Sequence, residues 1–413
     1  MKPMLDGTRV LEIGEFASAP SCTRLLAEMG AEVIKVEFTP CGDGAREMPY
    51  LVGGRSGYFV QQNRGKKSLC LDPKDPRAKA ALEALVKSSD VLVENLPVGE
   101  INRLGFGWET VRALNPKIVM CSISTFGQTG PLAELTGGDE VAAAYTGASA
   151  ITGTEEGGPV LAQAAFGDIG AGVSAAGSIG FSLLHAARTG AGQYLDISLI
   201  DVYYEAQSLS AEALTLGDGS FMPRALGSHH YVGAPCGFFH GKEMSIIIMV
   251  MDRTWPYFCR AVGREDLIPE PRFATMASRA ENRDELITLT EKWIQAQDSD
   301  EDALRQLQEA RVTCAPVLTV AQAAALPHLI ERSVAQTVTD RALGTFTIPG
   351  ISYRFSNFPR LELEAPFLGE HNEEVLTELA GITPEQVAAM TADGVLISEP
   401  VPAYSISPPN LMA

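Results

Sequence analysis

Paired cysteines are missing from this sequence. Seven cysteines (Cys22, Cys41, Cys70, Cys121, Cys236, Cys259 and Cys314) stand singly, with no Cys-x-x-Cys and an odd total. That excludes a cysteine-based zinc site and suits a reducing compartment. Basic residues are scarce as well, with 32 Lys and Arg against 51 Asp and Glu, a formal net charge of −19. Such a balance excludes general electrostatic attachment to nucleic acid or to an anionic membrane. No run of about 18 apolar residues free of polar breaks stands out, and residues 1–7 lack an apolar signal core. The expectation is a cytoplasmic protein with neither nucleic acid nor membrane as partner. The six histidines share no ligand spacing with carboxylates or cysteines, so no metal is expected. Gly14-Glu15-Phe16-Ala17-Ser18-Ala19 lacks two glycines of the dinucleotide fingerprint, and there is neither a Walker A loop nor a Gly-x-Ser-x-Gly elbow. NAD, P-loop and serine-hydrolase readings are therefore set aside.

What is present is a folded chain: 413 residues, 46% hydrophobic and 20% charged, long enough for two or three domains. Its first 125 residues alternate strand and helix patterns. Strands are expected at 10–13, 32–36, 68–71, 91–94 and 117–122, and helices at 21–29, 76–88 and 109–114. Strands separated by helices imply a parallel sheet, with ligands beyond the strands' carboxyl ends. The loops at 14–20, 95–99 and 124–138 are thus the ones that can carry a site. Further on, a helix is expected at 139–145, an apolar helix after Asp168, a strand at 193–198 and a second apolar helix at 199–214. A Gly-, Pro-, Arg- and His-containing stretch at 215–235 reads as a linker. Beyond it, a strand at 245–251 and helices at 255–262, 283–297 and 301–309, the last capped from Ser299, form another domain. Short strands, a helix near 373–379, another after Thr383-Pro384, and a Pro-rich tail at 400–409 end the chain. Arg64-Gly65-Lys66-Lys67 with Lys74, Arg77 and Lys79 is either an anion-binding patch or a solvated charge run.

Phe166-Gly167-Asp168-Ile169-Gly170-Ala171-Gly172 places one carboxylate at the head of a buried helix. Asp168 reads in two ways. As an N-cap it accepts from the free N–H groups of the first turn. As a nucleophile it is kept ionised by those N–H groups and by the helix dipole, with Gly167 and Gly170 leaving room for substrate.

Further segments come together in order along the chain. They are Leu5-Asp6-Gly7-Thr8-Arg9-Val10-Leu11, Ala19-Pro20, Leu26-Ala27-Glu28-Met29-Gly30-Ala31-Glu32-Val33-Ile34-Lys35-Val36-Glu37, Gly42-Asp43, Asn63-Arg64-Gly65-Lys66-Lys67-Ser68, Val93-Glu94-Asn95, Asn115-Pro116, Gly127-Gln128-Thr129-Gly130-Pro131, Gly167-Asp168, Thr189-Gly190-Ala191-Gly192-Gln193, Ala234-Pro235-Cys236-Gly237 and Gly369-Glu370-His371. With them the chain resembles the class III CoA-transferases, the family of formyl-CoA transferase, the carnitine CoA-transferase and α-methylacyl-CoA racemase.

The resemblance implies an α/β fold in which a Rossmann-like large domain, built from both chain ends, joins a smaller α/β middle domain in an interlocked homodimer. The large domain would take residues 1–215 and 331–413, and the small one 225–330. Asp168 would be the nucleophile, passing through an aspartyl anhydride and an aspartyl-CoA thioester. A coenzyme A thioester would be the substrate, with small carboxylic acids as the other partners and no permanently bound cofactor. Asn95, Arg103, Lys74, Asp72, Ser18 and Phe16 match positions near CoA. Ala17, Gly138, Asp139, Gly167, Arg46 and His230 fall around the substrate, and Arg46, Arg224 and His230 could bind a second carboxylate.

Departures from the pattern narrow the expectation. Gly138 stands where the racemases carry the histidine of a His-Asp pair, which leaves α-proton transfer without one of its two partners. Phe16-Ala17 replaces the Val-Gln pair of formyl-CoA transferases, and no four-glycine run is present, which weighs against formate–oxalate exchange and towards a donor such as succinyl-CoA. Two alternatives remain: an acyl-CoA isomerase, either a 2-methylacyl-CoA racemase or an enzyme moving CoA within one molecule, and a catalytically silent CoA-binding homologue.

Overall fold

A computed structural model of the chain describes residues 2–216, 222–358 and 360–401. They form two compact units, one of residues 2–143, 163–203, 326–358 and 360–401, the other of residues 144–162, 204–216 and 222–325.

The first unit is built on six strands: β1 (Arg9–Ile13), β2 (Glu32–Phe38), β3 (Lys66–Leu71), β4 (Val91–Glu94), β5 (Val119–Ser124) and β6 (Tyr194–Ser198). Every neighbouring pair is parallel, and the order across the sheet is β6-β5-β4-β1-β2-β3. This is the doubly wound arrangement, in which the chain turns back between β1 and β4 and leaves a crevice at their carboxyl ends.

Alternation along the strands supplies two faces. Leu11, Ile13, Leu92 and Met120 meet the helix Pro76–Ser88 together with Val375, Leu376, Val387 and Met390 from the helices Asn372–Leu379 and Pro384–Ala392. Val10, Val33, Val91, Val93 and Cys121 meet α1 (Ser18–Glu28) and the long helix Phe166–Thr189. Asp75 caps the helix Pro76–Ser88 by accepting from the Arg77 N–H, with Pro76 as its first residue, where the missing N–H costs nothing.

The helix Phe166–Thr189 corrects three expectations. Its N-cap is Ala165, so Asp168 is not a cap but the third residue of the first turn. It is also not buried on all sides. Gly167, Ala171, Gly172, Ala175 and Ile179 are buried, whereas Phe166, Val173, Phe181 and Leu184 are exposed. Finally, it is long and apolar enough to cross a bilayer by length and composition alone. Its glycines, alanines and serines hide that sum from a search for large apolar residues. The small stripe exists because α1 comes very close: a Cβ on Gly172 would lie 2.0 Å from Ser21 Oγ.

The basic run 64–79 divides: Arg64, Lys66 and Lys67 are committed to carboxylates, whereas Lys74, Arg77 and Lys79 lie exposed, as a solvated charge run does. Arg64 is buried and paired with Glu28, Lys66 is buried and paired with Glu12, and Lys67 binds Glu32 and Glu374. Arg77 holds Asp75 and Asp393, and Lys74 and Lys79 are exposed.

In the second unit Cys236–His240, Ser245–Met249 and Thr313–Pro316 form an antiparallel sheet in that order. Its core includes Phe239, Ile246, Ile248, Phe258, Phe273, Leu286 and Leu307. Ser299 caps the helix Asp300–Glu309 by accepting from the Asp302 N–H. Where one helix is expected at 199–214 there are two, Leu199–Glu205 and Ser208–Leu216. A turn closed by Gln207 N–H on Tyr204 O separates them, and the Gln207 amide donates to Thr146 O at 2.8 Å. This tie draws residues 144–162 into the second unit, although the sequence places them, with 204–215, in the large domain. The tail at 400–409 lies, from residue 402, outside the described residues, as do 217–221 of the linker.

Candidate active site

The crevice between β1 and β4 is closed by one side chain. Asn95, immediately after β4, accepts from Glu15 N–H at 2.9 Å, donates to Glu15 O at 2.9 Å and donates to Ser18 Oγ at 3.1 Å. It therefore holds residues 15–18, the turn that leads from β1 into α1. Gly14 is needed beneath it, because a Cβ there would lie 2.7 Å from both Ala19 Cβ and Asn95 Oδ1.

Ser18, the first residue of α1, lies close enough to the Asp168 carboxylate for its hydroxyl to favour the ionised form. Burial pushes Asp168 up to about 6, helped by the negative charges of Asp139 and Glu140 and opposed by the Ser18 hydroxyl. A carboxylate in that state is ionised at neutral pH yet more basic than an ordinary aspartate, a combination suited to nucleophilic attack.

Asp139 supports the same turn of helix. Its Oδ1 accepts from Gly167 N–H at 2.9 Å and from the Tyr203 hydroxyl at 2.6 Å. Burial and this bond raise the Tyr203 phenol well above its ordinary range. Residue 167 must be glycine for this approach, since a Cβ would meet Asp139 Oδ1 and Tyr203 Cε2 at 2.5 Å each. Around Gly138, in contrast, a Cβ would have no atom within 4 Å. Its lack of a side chain is not imposed by crowding.

Two groups at the site were not among those expected from the sequence. Tyr58, on the helix Gly57–Asn63, lies within the field of Asp168: burial first, then that charge, raise its phenol. Beneath the 14–18 turn sits a buried ionic chain. Lys35 contacts Glu12 at 2.7 Å and Asp43 at 2.8 Å, and Lys66 contacts Glu12 at 2.7 Å. Glu12 and Lys35 are direct neighbours across β1 and β2. Opposite charges at one register in adjacent apolar strands, Val-Leu-Glu-Ile and Val-Ile-Lys-Val, are the signal that could have revealed them. Burial pushes Lys66 down to about 8, against the pull of Glu12.

The remaining expected residues divide. Asn95 and Arg103 line one cavity of about 550 Å³ at the carboxyl ends of β4 and β5, with Phe126 and Thr125 on its wall. Arg103 is exposed and pairs with Glu100 at 2.9 Å. Asp72 and Lys74 form a turn after β3, Asp72 Oδ1 accepting from Lys74 N–H, at the edge strand and away from that cavity. Phe16 is half exposed with φ 60°, and Ala17 is buried as the N-cap of α1.

Arg46 is not free to take a second carboxylate: it makes two 2.7 Å bonds to the buried Glu37 and lies 3.8 Å above the Phe59 ring. His230 and Arg224 belong to the second unit. There His230 Nδ1 accepts from Val232 N–H at 3.1 Å and Arg224 pairs with Glu155 at 3.4 Å.

Comparison with known proteins identifies the family of the chain. The model of CoA-transferase family III matches residues 5–372. The chain is 32% identical over 400 residues to succinyl-CoA–D-citramalate CoA-transferase of Chloroflexus aurantiacus, covering 95% of this chain and 98% of the relative. It is 31% identical over 421 residues to formyl-CoA:oxalate CoA-transferase of Rhodopseudomonas palustris, covering 96% and 98%. A CAIB/BAIF family protein from Brucella suis superposes with a TM-score of 0.78 at 30% identity, covering 92% of this chain and all of the other.

Proposed function

The chain belongs to CoA-transferase family III, and from that membership we propose that it moves CoA from succinyl-CoA to a small organic acid through Asp168. The observation that carries the aspartyl route is a partly buried carboxylate raised to about 6 in the first turn of a helix, with the Ser18 hydroxyl beside it.

In the proposed reaction Asp168 attacks the donor carbonyl carbon, the C–S bond breaks, and CoA leaves as thiolate from a mixed aspartyl–succinyl anhydride. The thiolate attacks the aspartyl carbonyl, succinate departs, and an aspartyl-CoA thioester remains. The acceptor carboxylate attacks that thioester and expels CoA thiolate, giving a second anhydride. Attack on the acceptor carbonyl then releases the new acyl-CoA and restores the Asp168 carboxylate. Acyl activation is conserved throughout, so no ATP is consumed. Each addition builds an oxyanion, for which N–H groups at a helix start and the Ser18 hydroxyl are suitable donors.

The cavity lined by Asn95 and Arg103 is the proposed seat of CoA, with the Arg103 guanidinium facing phosphate. A succinyl donor is favoured by the succinyl-CoA-using relative and by Phe16-Ala17 in the first turn. Because Arg46 is committed to Glu37, it is withdrawn as a ligand for the distal carboxylate. The proposal includes a cytoplasmic, interlocked homodimer with a Rossmann-like large domain and a smaller α/β domain, without nucleic-acid or membrane partner. Apolar Phe166, Val173, Phe181 and Leu184, exposed in a single chain, are what such an assembly would cover.

The test is mass spectrometry of the enzyme with succinyl-CoA. A CoA adduct mapped to Asp168, discharged by added carboxylic acids to new acyl-CoA products, supports the reading. Turnover unchanged in Asp168→Ala removes it.

A further inference from the structure

The turn between β1 and α1 is held by side chains on every side. Lys35 Nζ donates to Gly14 O at 2.7 Å, Asn95 binds both backbone groups of Glu15, and Asp43 Oδ1 accepts from Phe16 N–H at 3.0 Å. Asp43 is itself buried, ion-paired to Lys35 and bound to the Ala45 N–H at 2.8 Å. Phe16 sits at φ 60°, the left-handed region that a bulky side chain occupies only when its surroundings force it. The Phe16 ring also closes over Gly44, where a Cβ would come within 2.4 Å of Cζ. Two residues later Ser18 packs against the helix that carries Asp168, its backbone oxygen 3.0 Å from where a Cβ on Gly172 would lie, and its hydroxyl favours the ionised Asp168 carboxyl.

An ordinary exposed turn leaves its backbone groups to water. Here a buried ammonium, an amide and a buried carboxylate are spent on three consecutive residues of one, Gly14, Glu15 and Phe16. We infer that Asp43, braced by Lys35, is a positioning residue of the transferase: it latches residue 16 in the left-handed conformation and so aims Ser18 at Asp168. This rests on the aspartyl reading proposed above and adds to it a residue that touches neither CoA nor acid. A buried ion pair is weak as a source of stability but well suited to fixing a register.

If the latch acts through the conformation of residue 16, then removing the need for the latch must remove the effect of losing Asp43. Glycine adopts left-handed φ without penalty, which makes Phe16→Gly the diagnostic background. The experiment is the rate of CoA adduct formation at residue 168 from succinyl-CoA, by rapid quench and peptide mapping, in wild type, Asp43→Ala, Phe16→Gly and the double variant. Deuterium exchange of the peptide spanning residues 14–18 is followed in parallel. The expected results are faster exchange in Asp43→Ala, a loss in adduct rate of roughly ten- to a hundredfold, and a loss of less than about threefold when the same change is made in the Phe16→Gly background.

Equal losses in both backgrounds mean that Asp43 only supports the fold and overturn the latch. An adduct forming at the wild-type rate in Asp43→Ala overturns it too, while leaving the aspartyl route intact. No adduct in wild type overturns the aspartyl route itself and the positioning role with it. Should Asp43→Ala fail to fold, Asp43→Asn, which keeps a weaker acceptor, carries the same comparison, with a loss of about threefold expected in the wild-type background and none in the Phe16→Gly background.

Discussion

Asn95 donates to the hydroxyl of Ser18 at 3.1 Å from the far side of the switch point, so the strand that ends one half of the sheet orients the helix start that begins the other. The hydroxyl so oriented is the one that meets Asp168. Catalytic chemistry at Asp168 is thereby tied to the topology of the sheet, through a side chain that also fixes both backbone groups of Glu15.

Ser18→Ala removes the group that lowers the Asp168 carboxyl while leaving burial, Asp139 and Glu140 to raise it. The acid limb of the rate–pH profile is expected to start near 6 in wild type and to move upward in Ser18→Ala, with a rate loss of about tenfold at neutral pH from the missing donor. A profile of turnover between pH 5 and 9 checks it; an unmoved limb would mean that Ser18 does not touch the reacting carboxylate in solution.

The folded state raises Asp168 from an ordinary 3.8 to about 6, and the sign of the linkage follows. The ionised form is disfavoured by folding, so the site costs stability at pH above 6, by about 3 kcal/mol at full ionisation. The cost shrinks as pH falls from about 6 to 3.8 and vanishes well below that, where the carboxyl is protonated in both states. Asp168→Asn should therefore abolish transfer and yet stabilise the protein at pH 8 by about 1–3 kcal/mol, with the gain about halved at pH 5. Denaturant unfolding at the two pH values measures this, and a destabilised Asp168→Asn protein would show that burial of the charge is not what raises the group.

Gly172 faces Ser21 Oγ and the backbone of Ser18 and Cys22 within 3.1 Å of its missing Cβ. Gly172→Ala should lower stability by about 1–3 kcal/mol despite alanine's better helix propensity, because α1 must move away. The same shift displaces Ser18 from Asp168, so turnover should fall with the melting temperature, and calorimetry with parallel assays would register both.

Position 138 is open: no atom lies within 4 Å of a Cβ placed there. Gly138→His should therefore fold with a melting temperature within a few degrees of wild type, and wild type should leave the α-hydrogen of 2-methylacyl-CoA unexchanged in D₂O. Deuterium wash-in by wild type would restore the racemase reading.

The strands Val91–Glu94 and Arg9–Ile13 and the helix Pro76–Ser88 were legible because alternation, 3.6-residue spacing and a proline start are local signals. Asp168 stood out by its glycine neighbours, and Asn95 by its place after a strand. Cys236–His240 did not read as a strand, since Cys-Gly-Phe-Phe-His neither alternates nor lacks glycine, and its sheet is completed by Thr313–Pro316, far along the chain. Which side of Phe166–Thr189 is buried depends on α1, which no local window sees. Arg46 read as a free cation because its partner, Glu37, is itself buried within an apolar strand. Tyr58 and Asp43 reach the site through tertiary contacts only. Buried charges such as Lys35 were the least expected, although their register with Glu12 was already written in two neighbouring strands.

Transfer through Asp168 is tested in one step by LC–MS of purified protein in D₂O with succinyl-CoA, with and without a panel of small carboxylic acids. The expected result is a CoA adduct on Asp168 and new acyl-CoA thioesters that form only when an acid is added, carrying no deuterium at the α-carbon. Products that form without an added acid, or an unmodified Asp168 during active turnover, would contradict it.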